Sequence, residues 1–128
     1  MLIRIILLGL VVIVSSWLIS VFLGTRQSFE CEASIVVEVV NGCGLKGAAE
    51  KVARLLGDRG FDVLFVGNAD DFKYDETIIV DRCGDQSKVE ALALVIGTDN
   101  VVTQVRHSGF VDATVIVGRD FEELALAR

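Results

Sequence analysis

The sequence contains no proline and little that is aromatic or basic. Its 128 residues include one histidine, one tryptophan and one tyrosine, and the formal net charge is −6. Without proline the chain cannot supply a polyproline II ligand or a proline-rich spacer. A nucleic-acid-binding domain normally presents a concentrated basic face, whereas the basic residues here are scattered through an acidic domain. We therefore expect no nucleic-acid partner.

Residue combinations that support catalysis or metal binding are also missing. His107 lies between Arg106 and Ser108 in a predicted hairpin turn, and neighbours in a turn do not form a nucleophile–base pair. The three cysteines do not have the spacing of zinc ligands. The acidic loop at 70–76 lacks the spacing and the central glycine of a calcium loop. The sequence predicts no enzyme, no metal centre and no cofactor.

A long uncharged run is present near the N-terminus. Ile5 to Leu23 contains no charged residue, and a helix of this length spans roughly 28 Å, about one hydrocarbon core. The main alternative is a secretory signal peptide, but the end of the run lacks a small-residue cleavage site. We therefore expect an uncleaved, single-pass anchor, possessing a cytoplasmic end at 1–4 and a transmembrane helix at 5–23. The linker is predicted at 24–34.

Charges around the run give its orientation. Arg4 and the terminal amine precede the run, while Arg26 follows it close to acidic residues. The positive-inside rule then favours a cytoplasmic N-terminus. We expect the soluble domain, residues 35–128, to lie outside the cytoplasm, on the periplasmic or extracytoplasmic side of the inner (cytoplasmic) membrane.

The soluble domain opens with a strand, a glycine turn and a helix. Residues 35–40 are β-branched apart from Glu38, which is typical of a buried strand. Asn41 and Gly42 then break the run. From Leu45 onward the apolar residues have the three-and-four spacing of one helix face, and Gly60 is expected to end the helix as a left-handed cap.

The remaining elements predict an α+β fold. Strands are expected at 61–67, 77–82, 101–106 and 113–118, and a second helix is expected between an N-cap at Asp85 and Gly97. The order βαββαβ with an extra strand indicates a ferredoxin-like sandwich with two helices on one face. In that arrangement the third strand lies antiparallel between the first two. A turn through Ser108 and Gly109 would join the last two strands, and no internal repeat is apparent.

The turn from Gly42 to Gly47 spells G-x-G-x-x-G between a strand and a helix. That context suits a dinucleotide fingerprint. However, the second strand does not end in an acid, and the loop to the third strand is too short for a helical crossover. A tight structural turn is favoured, and an anion could bind to free N–H groups at 44–47 beside Lys46. The candidate ligand-binding residues are Asn41, Gly42, Gly44, Leu45, Lys46 and Gly47.

The cysteines suggest one disulfide. If the third strand runs antiparallel to the first, Cys83 lies near Cys31, and Cys43 lies at the opposite edge. In an oxidising compartment we therefore expect a bridge between Cys31 and Cys83.

Four blocks follow one another along the domain: Val37–Ala49, Gly60–Asp70, Tyr74 with Thr77–Val80, and Asp112–Phe121. In this order they resemble the LytR C-terminal domain of the LytR–CpsA–Psr cell-envelope proteins, over roughly the whole soluble part. Cys43 stands where the motif usually has a small hydroxyl residue. In such proteins the domain usually follows a catalytic domain that transfers glycopolymers from a polyprenyl carrier to peptidoglycan, and that domain has no counterpart here.

The resemblance and the anchor together imply a membrane-tethered, non-catalytic module of a bacterial cell envelope. Its expected ligand is peptidoglycan or an envelope glycopolymer. Two alternatives stay open: a protein-interaction or scaffolding subunit that recruits an envelope enzyme, and an anion- or phosphate-binding domain at the Gly42–Gly47 turn.

Overall fold

The computed structural model describes residues 1–24, 34–107 and 109–128, and they fall into two units. In the first unit, helix α1 spans Leu2–Gly24. Its side chains up to residue 20 are exposed, and it is long and apolar enough to cross a membrane. A signal sequence near the N-terminus meets the same criterion.

The second unit is a five-stranded mixed sheet with two helices, so the predicted α+β class is confirmed. Two 3₁₀ turns, Arg119–Glu122 and Ala125–Ala127, follow the last strand. The strands and helices are β1 Val36–Asn41, α2 Ala48–Asp58, β2 Asp62–Asn68, β3 Ile78–Asp81, α3 Gln86–Ile96, β4 Val101–Thr103 and β5 Ala113–Val117.

The strand order is β2-β1-β5-β3-β4, and it differs from the ferredoxin-like order. Strand β1 pairs in parallel with both β2 and β5, while β3 is antiparallel to β5 and parallel to β4. The expectation that β3 separates β1 from β2 is therefore wrong. Strand β5 is apolar apart from Thr114 and is buried at every position except Ile116, which suits the centre of a sheet.

The hairpin predicted between β4 and β5 is also wrong, because β3 lies between these two strands. The connection crosses the end of β3 instead. The backbone N–H of Arg106 donates to the backbone carbonyl of Arg82 at 2.9 Å, and the backbone N–H of Arg82 donates to the backbone carbonyl of Asp112 at 3.0 Å. His107 is exposed in this connection, which is not a hairpin turn because β4 and β5 are not neighbours.

The core lies on one face of the sheet, against α2, α3 and the C-terminal turns. Alternate residues of β1 and β5 point into it, as the two-residue period of a strand requires. Burial of each large aliphatic side chain contributes roughly 1.5–3 kcal/mol. The buried set includes Val37, Val39, Val52, Leu56, Ile79, Leu92, Ile96, Val115, Val117, Phe121, Leu124 and Leu126.

The predicted helix caps are present. The Asp85 carboxylate accepts a hydrogen bond from the Ser87 N–H at 3.1 Å and so caps α3. Gly97 ends that helix at φ +82°, and Gly60 follows α2 at φ +90°. Both values lie in the left-handed region that glycine occupies without steric cost.

Candidate functional site

The side chain of Asn41 organises the glycine turn that follows β1. Asn41 is 6% exposed. Its Oδ1 accepts hydrogen bonds from the N–H groups of Cys43 and Gly44 at 3.1 and 3.0 Å, and its Nδ2 donates to the Leu45 carbonyl at 2.8 Å. One side chain therefore fixes three backbone groups of the turn, as asparagine commonly does in such turns.

Two aromatic residues of the acidic loop pack on the same turn. A β-carbon at Gly42 would lie 2.8 Å from the Tyr74 ring and 2.7 Å from the Ile116 side chain. A β-carbon at Gly44, whose φ is +75°, would lie 3.2 Å from Phe72. The Tyr74 N–H also donates to the Gly42 carbonyl at 3.0 Å. The glycines are thus needed for close packing, which supports the structural explanation of the motif.

The N-terminus of α2 lies at the exposed end of this turn. Helix α2 begins at Ala48, and its N-cap, Gly47, provides no side-chain hydrogen bond. The prediction that N–H groups 44 to 47 are free needs one correction, because the Gly44 N–H is bound by Asn41. Within the described parts of the chain, the N–H groups of Leu45, Lys46 and Gly47 have no hydrogen-bond partner. These three residues are exposed.

The acidic loop is a solvated segment whose side chains form hydrogen bonds and an ion pair with nearby residues of the same domain. Asp75 pairs with Arg119 at 2.8 Å, Glu76 accepts from Asn100 at 2.9 Å, and Asp71 accepts from the Lys73 N–H at 3.1 Å. Among the described residues, no group of three or more potential ligand side chains could hold a metal ion.

A second surface was not predicted from the sequence. It lies on the sheet face opposite the core, here called the second face, on which neither α2 nor α3 packs. Four polar side chains follow one another across the strands and form what we call the polar row. They are Glu38 on β1, Thr114 on β5, and Arg82 and Gln104 just after β3 and β4.

Hydrogen bonds connect the polar row. The Thr114 hydroxyl donates to Glu38 Oε2 at 3.1 Å and accepts from Arg82 Nε at 3.1 Å. Arg82 Nη1 donates to Gln104 Oε1 at 2.6 Å. Phe65 on β2 pairs with Glu38 in register and is 54% exposed, so it extends the row with an aromatic ring at the sheet edge.

Arg82 is a largely buried, charged member of the row. It is 9% exposed. Burial lowers the pKa of its guanidinium, the neighbouring Arg106 lowers this pKa further, and Glu38 acts in the opposite direction. The even-numbered positions of β1 and β5 could have indicated this face, since Glu38 and Thr114 interrupt apolar strands.

The two described cysteines differ in environment. Cys43 is buried in the turn, and Cys83 is exposed after β3. Partial desolvation raises the pKa of the Cys83 thiol although the residue is exposed, and a hydrogen bond from the Asp85 N–H acts in the opposite direction. Cys31 lies outside the described residues, so the bridge between Cys31 and Cys83 stays a prediction.

The fold is a small α+β domain with two candidate binding surfaces, the Gly42–Gly47 turn and the second face, and the chain also contains an N-terminal apolar helix. The sequence model of the LytR C-terminal domain, described as LytR cell envelope-related transcriptional attenuator, matches residues 34–121. This match spans more than half of the chain, which therefore belongs to that cell-envelope family. Comparisons with curated proteins and with solved structures gave no match.

Proposed function

We propose that this protein is a non-catalytic module, tethered to the outer side of the cytoplasmic membrane, that binds peptidoglycan or an envelope glycopolymer. Membership of a cell-envelope family over residues 34–121 carries the proposal. The apolar helix α1 supports membrane attachment. Domains of this family usually accompany a separate catalytic domain, so turnover by this domain itself is not expected.

The second face has the chemistry of a glycan-binding surface. Glycans are bound by aromatic rings that cover apolar sugar faces and by amide, carboxylate and guanidinium groups that hydrogen-bond hydroxyls. Phe65 provides an exposed ring, and Glu38, Gln104 and Arg82 provide the polar groups. We therefore assign glycan contact to this face.

The test is co-sedimentation of the full chain, in dodecyl maltoside, with isolated sacculi. We expect wild-type protein in the pellet and Phe65→Ala largely in the supernatant. Leu94→Ala is the matched control, because Leu94 is an apolar side chain on α3 that is 83% exposed. If wild-type protein stays in the supernatant at every salt concentration, glycan binding is wrong.

The compartment is tested independently by protease treatment of intact spheroplasts. The proposed orientation predicts that the domain is digested while the cells stay intact. Protection of the domain until the membrane is lysed would place it in the cytoplasm and remove the envelope function.

A second candidate function is recruitment of an envelope protein through strand β2. This strand forms one edge of the sheet and exposes Leu64, Phe65 and Val66. It contains no lysine or proline that would protect it from pairing, and exposed edges accept a partner's strand. A photo-crosslinking residue in place of Val66 should give discrete heavier bands in membranes, whereas one in place of Leu94 should not. Equal labelling from both positions would count against it.

A third candidate is an anion or a carrier-lipid phosphate at the Gly42–Gly47 turn. The unpartnered N–H groups of Leu45, Lys46 and Gly47 support it, because helix N-termini attract anions. Titration with pyrophosphate should shift the amides of residues 42–48, and Lys46→Gln should weaken the effect more than Lys73→Gln. Absence of shifts at millimolar ligand would remove this candidate.

The disulfide between Cys31 and Cys83 remains part of the proposal. The exposure of Cys83 leaves its thiol accessible for pairing. Peptide mapping without reductant should recover the Cys31–Cys83 pair from exported protein. Recovery of Cys43 in the bridge, or of three free thiols, would refute it.

A further inference from the structure

The Arg82 side chain is largely buried, with the residue 9% exposed, and among the described residues it has no salt-bridge partner. Its two described acceptors, Thr114 Oγ1 and Gln104 Oε1, are neutral. Burying a charge is costly unless it is paired and hydrogen-bonded, so this arrangement needs an explanation.

Part of the guanidinium is available to a ligand. Nε and Nη1 are engaged at 3.1 and 2.6 Å, while Nη2 has no hydrogen-bond partner among the residues that the structure describes. Arginine presents its donors as a planar fork that matches carboxylate and phosphate oxygens. A guanidinium with a free edge is therefore a ready anion donor.

A second arginine adds to the positive charge. Arg106 is exposed, and its backbone N–H donates to the backbone carbonyl of Arg82 at 2.9 Å. The two guanidinium groups are close enough for Arg106 to lower the pKa of Arg82. Like charges placed together favour a bound anion, because the anion removes their repulsion.

The nearby carboxylate does not neutralise this pair. Glu38 Oε2 accepts from the Thr114 hydroxyl at 3.1 Å rather than from Arg82. Glu38 therefore leaves the local charge of the two arginines incompletely balanced, and it should weaken the binding of an anion by repulsion.

We propose that Arg82 and Arg106, with Gln104, form an oxyanion-binding site on the second face, which takes a phosphate or carboxylate group. The site is separate from the Gly42–Gly47 turn: β1 and β3 run in opposite directions, so Arg82 and Asn41 lie at opposite ends of the sheet. The inference does not depend on the proposed glycan binding.

The test uses isotope-labelled full chain in the non-ionic detergent dodecyl maltoside, titrated with inorganic phosphate or with sodium acetate. Sodium chloride at matched ionic strength is the reference. We expect saturable shifts of the Arg82 Nε–H signal and of the amides of residues 82, 104 and 106. Phosphate binding alone assigns a phosphate ligand, acetate binding alone assigns a carboxylate ligand, and binding of both assigns a general oxyanion site.

Three variants make the test specific. Arg106→Gln, at an exposed position, should raise the Kd about tenfold, which is the typical effect of losing one charge-assisted hydrogen bond. Glu38→Gln should lower the Kd, because it removes the repelling charge and keeps an acceptor for Thr114. Arg54→Gln, on the exposed side of α2, should change nothing.

Two results would overturn the site. One is the absence of saturable shifts with either anion at concentrations up to about 100 mM, well beyond the millimolar range of weak binding. The other is binding that Arg106→Gln and Arg54→Gln reduce equally, because this would indicate an adventitious ion only. Arg82 itself is not substituted, since its loss would leave buried partners unsatisfied and could unfold the domain.

Discussion

Replacement of Asn41 separates the two tasks that its side chain performs in the turn. Asn41→Ala removes three hydrogen bonds accepted by Oδ1, from the N–H and the thiol of Cys43 and from the N–H of Gly44, and one donated to the Leu45 carbonyl. Each intramolecular hydrogen bond contributes roughly 0.5–1.5 kcal/mol, and a buried group left unsatisfied costs more. We expect Asn41→Ala to lower the free energy of unfolding by about 2–4 kcal/mol, a large share of the ~5–15 kcal/mol typical of a domain.

Asn41→Asp is the informative companion. A carboxylate keeps the three accepted hydrogen bonds but cannot donate to the Leu45 carbonyl, which the Nδ2 group contacts at 2.8 Å. Asp81 performs the same accepting role after β3, with Cys83 and Gly84 as donors at 3.1 and 2.8 Å. We therefore expect Asn41→Asp to cost about half as much as Asn41→Ala, roughly 1–2 kcal/mol.

The assay is chemical unfolding of the full chain in micelles, followed by circular dichroism, together with amide hydrogen exchange. The Cys43 and Gly44 amides should lose protection in Asn41→Ala and keep it in Asn41→Asp. The reasoning fails if Asn41→Ala changes stability by less than about 0.5 kcal/mol, the range of ordinary surface substitutions, or if Asn41→Asp is the more costly change.

Two further predictions concern packing and pH. Gly42→Ala should destabilise the domain by about 1–3 kcal/mol, because a β-carbon would lie 2.7 Å from the Ile116 side chain. Gly57→Ala, with open space in α2, should instead stabilise it by about 0.5–1 kcal/mol. Thermal unfolding checks both variants, and equal melting temperatures would contradict the geometry. Burial acts to raise the pKa of Asp112, but the hydrogen bond from Lys88 at 2.8 Å and another from the backbone outweigh it and lower this pKa. The stabilisation from ionised Asp112 is then fully present above about pH 4 and is lost as the pH falls through its pKa in the folded protein. Lys88→Met should therefore move acid unfolding to higher pH. An unchanged midpoint of acid unfolding would refute the linkage.

Local signals in the sequence predicted the elements well. The β-branched run before Asn41, the helix periodicity from Leu45 and the Asp85 cap each depend on neighbours within a few residues. Such signals are decided by backbone and side-chain preferences that hold wherever the segment lies in the fold. The observed helices and strands therefore fall close to the predicted ones.

The order of the strands depends on longer-range packing that the sequence pattern does not display. Element order alone is compatible with β3 beside β1, as predicted, and with β5 beside β1, as observed. The outcome depends on which strand takes the central position in the sheet. Strand β5 carries the almost continuous apolar run Ala113–Val117, and this was the available signal for a central position. The polar row escaped prediction for the same reason, because its members come together only through that order.

An internal repeat, not apparent from the sequence as a whole, connects these observations. The segments Asn41-Gly-Cys-Gly44 and Asp81-Arg-Cys-Gly84 form the same turn. In each, a side-chain oxygen of the first residue accepts hydrogen bonds from the N–H groups of the third and fourth residues. The fourth residue is a glycine, at φ +75° in the first turn and +77° in the second. Each turn leads from a strand into a helix and then into a parallel neighbouring strand.

The two copies of the repeat differ at the start of the helix, and the difference has a functional consequence. In the second copy the Asp85 carboxylate caps α3 directly, so the positive end of that helix is already occupied by an acid of the chain. In the first copy Gly47 leaves α2 without a side-chain cap. Because both helices leave equivalent turns, the missing N-cap side chain is a property of the first copy rather than of the fold. An external anion would meet unpartnered N–H groups beside Lys46, together with the carboxylate of Glu50 in the first turn of α2. At α3 the corresponding N–H group is already bound by Asp85, so of the two turns the Gly42–Gly47 turn is the better candidate.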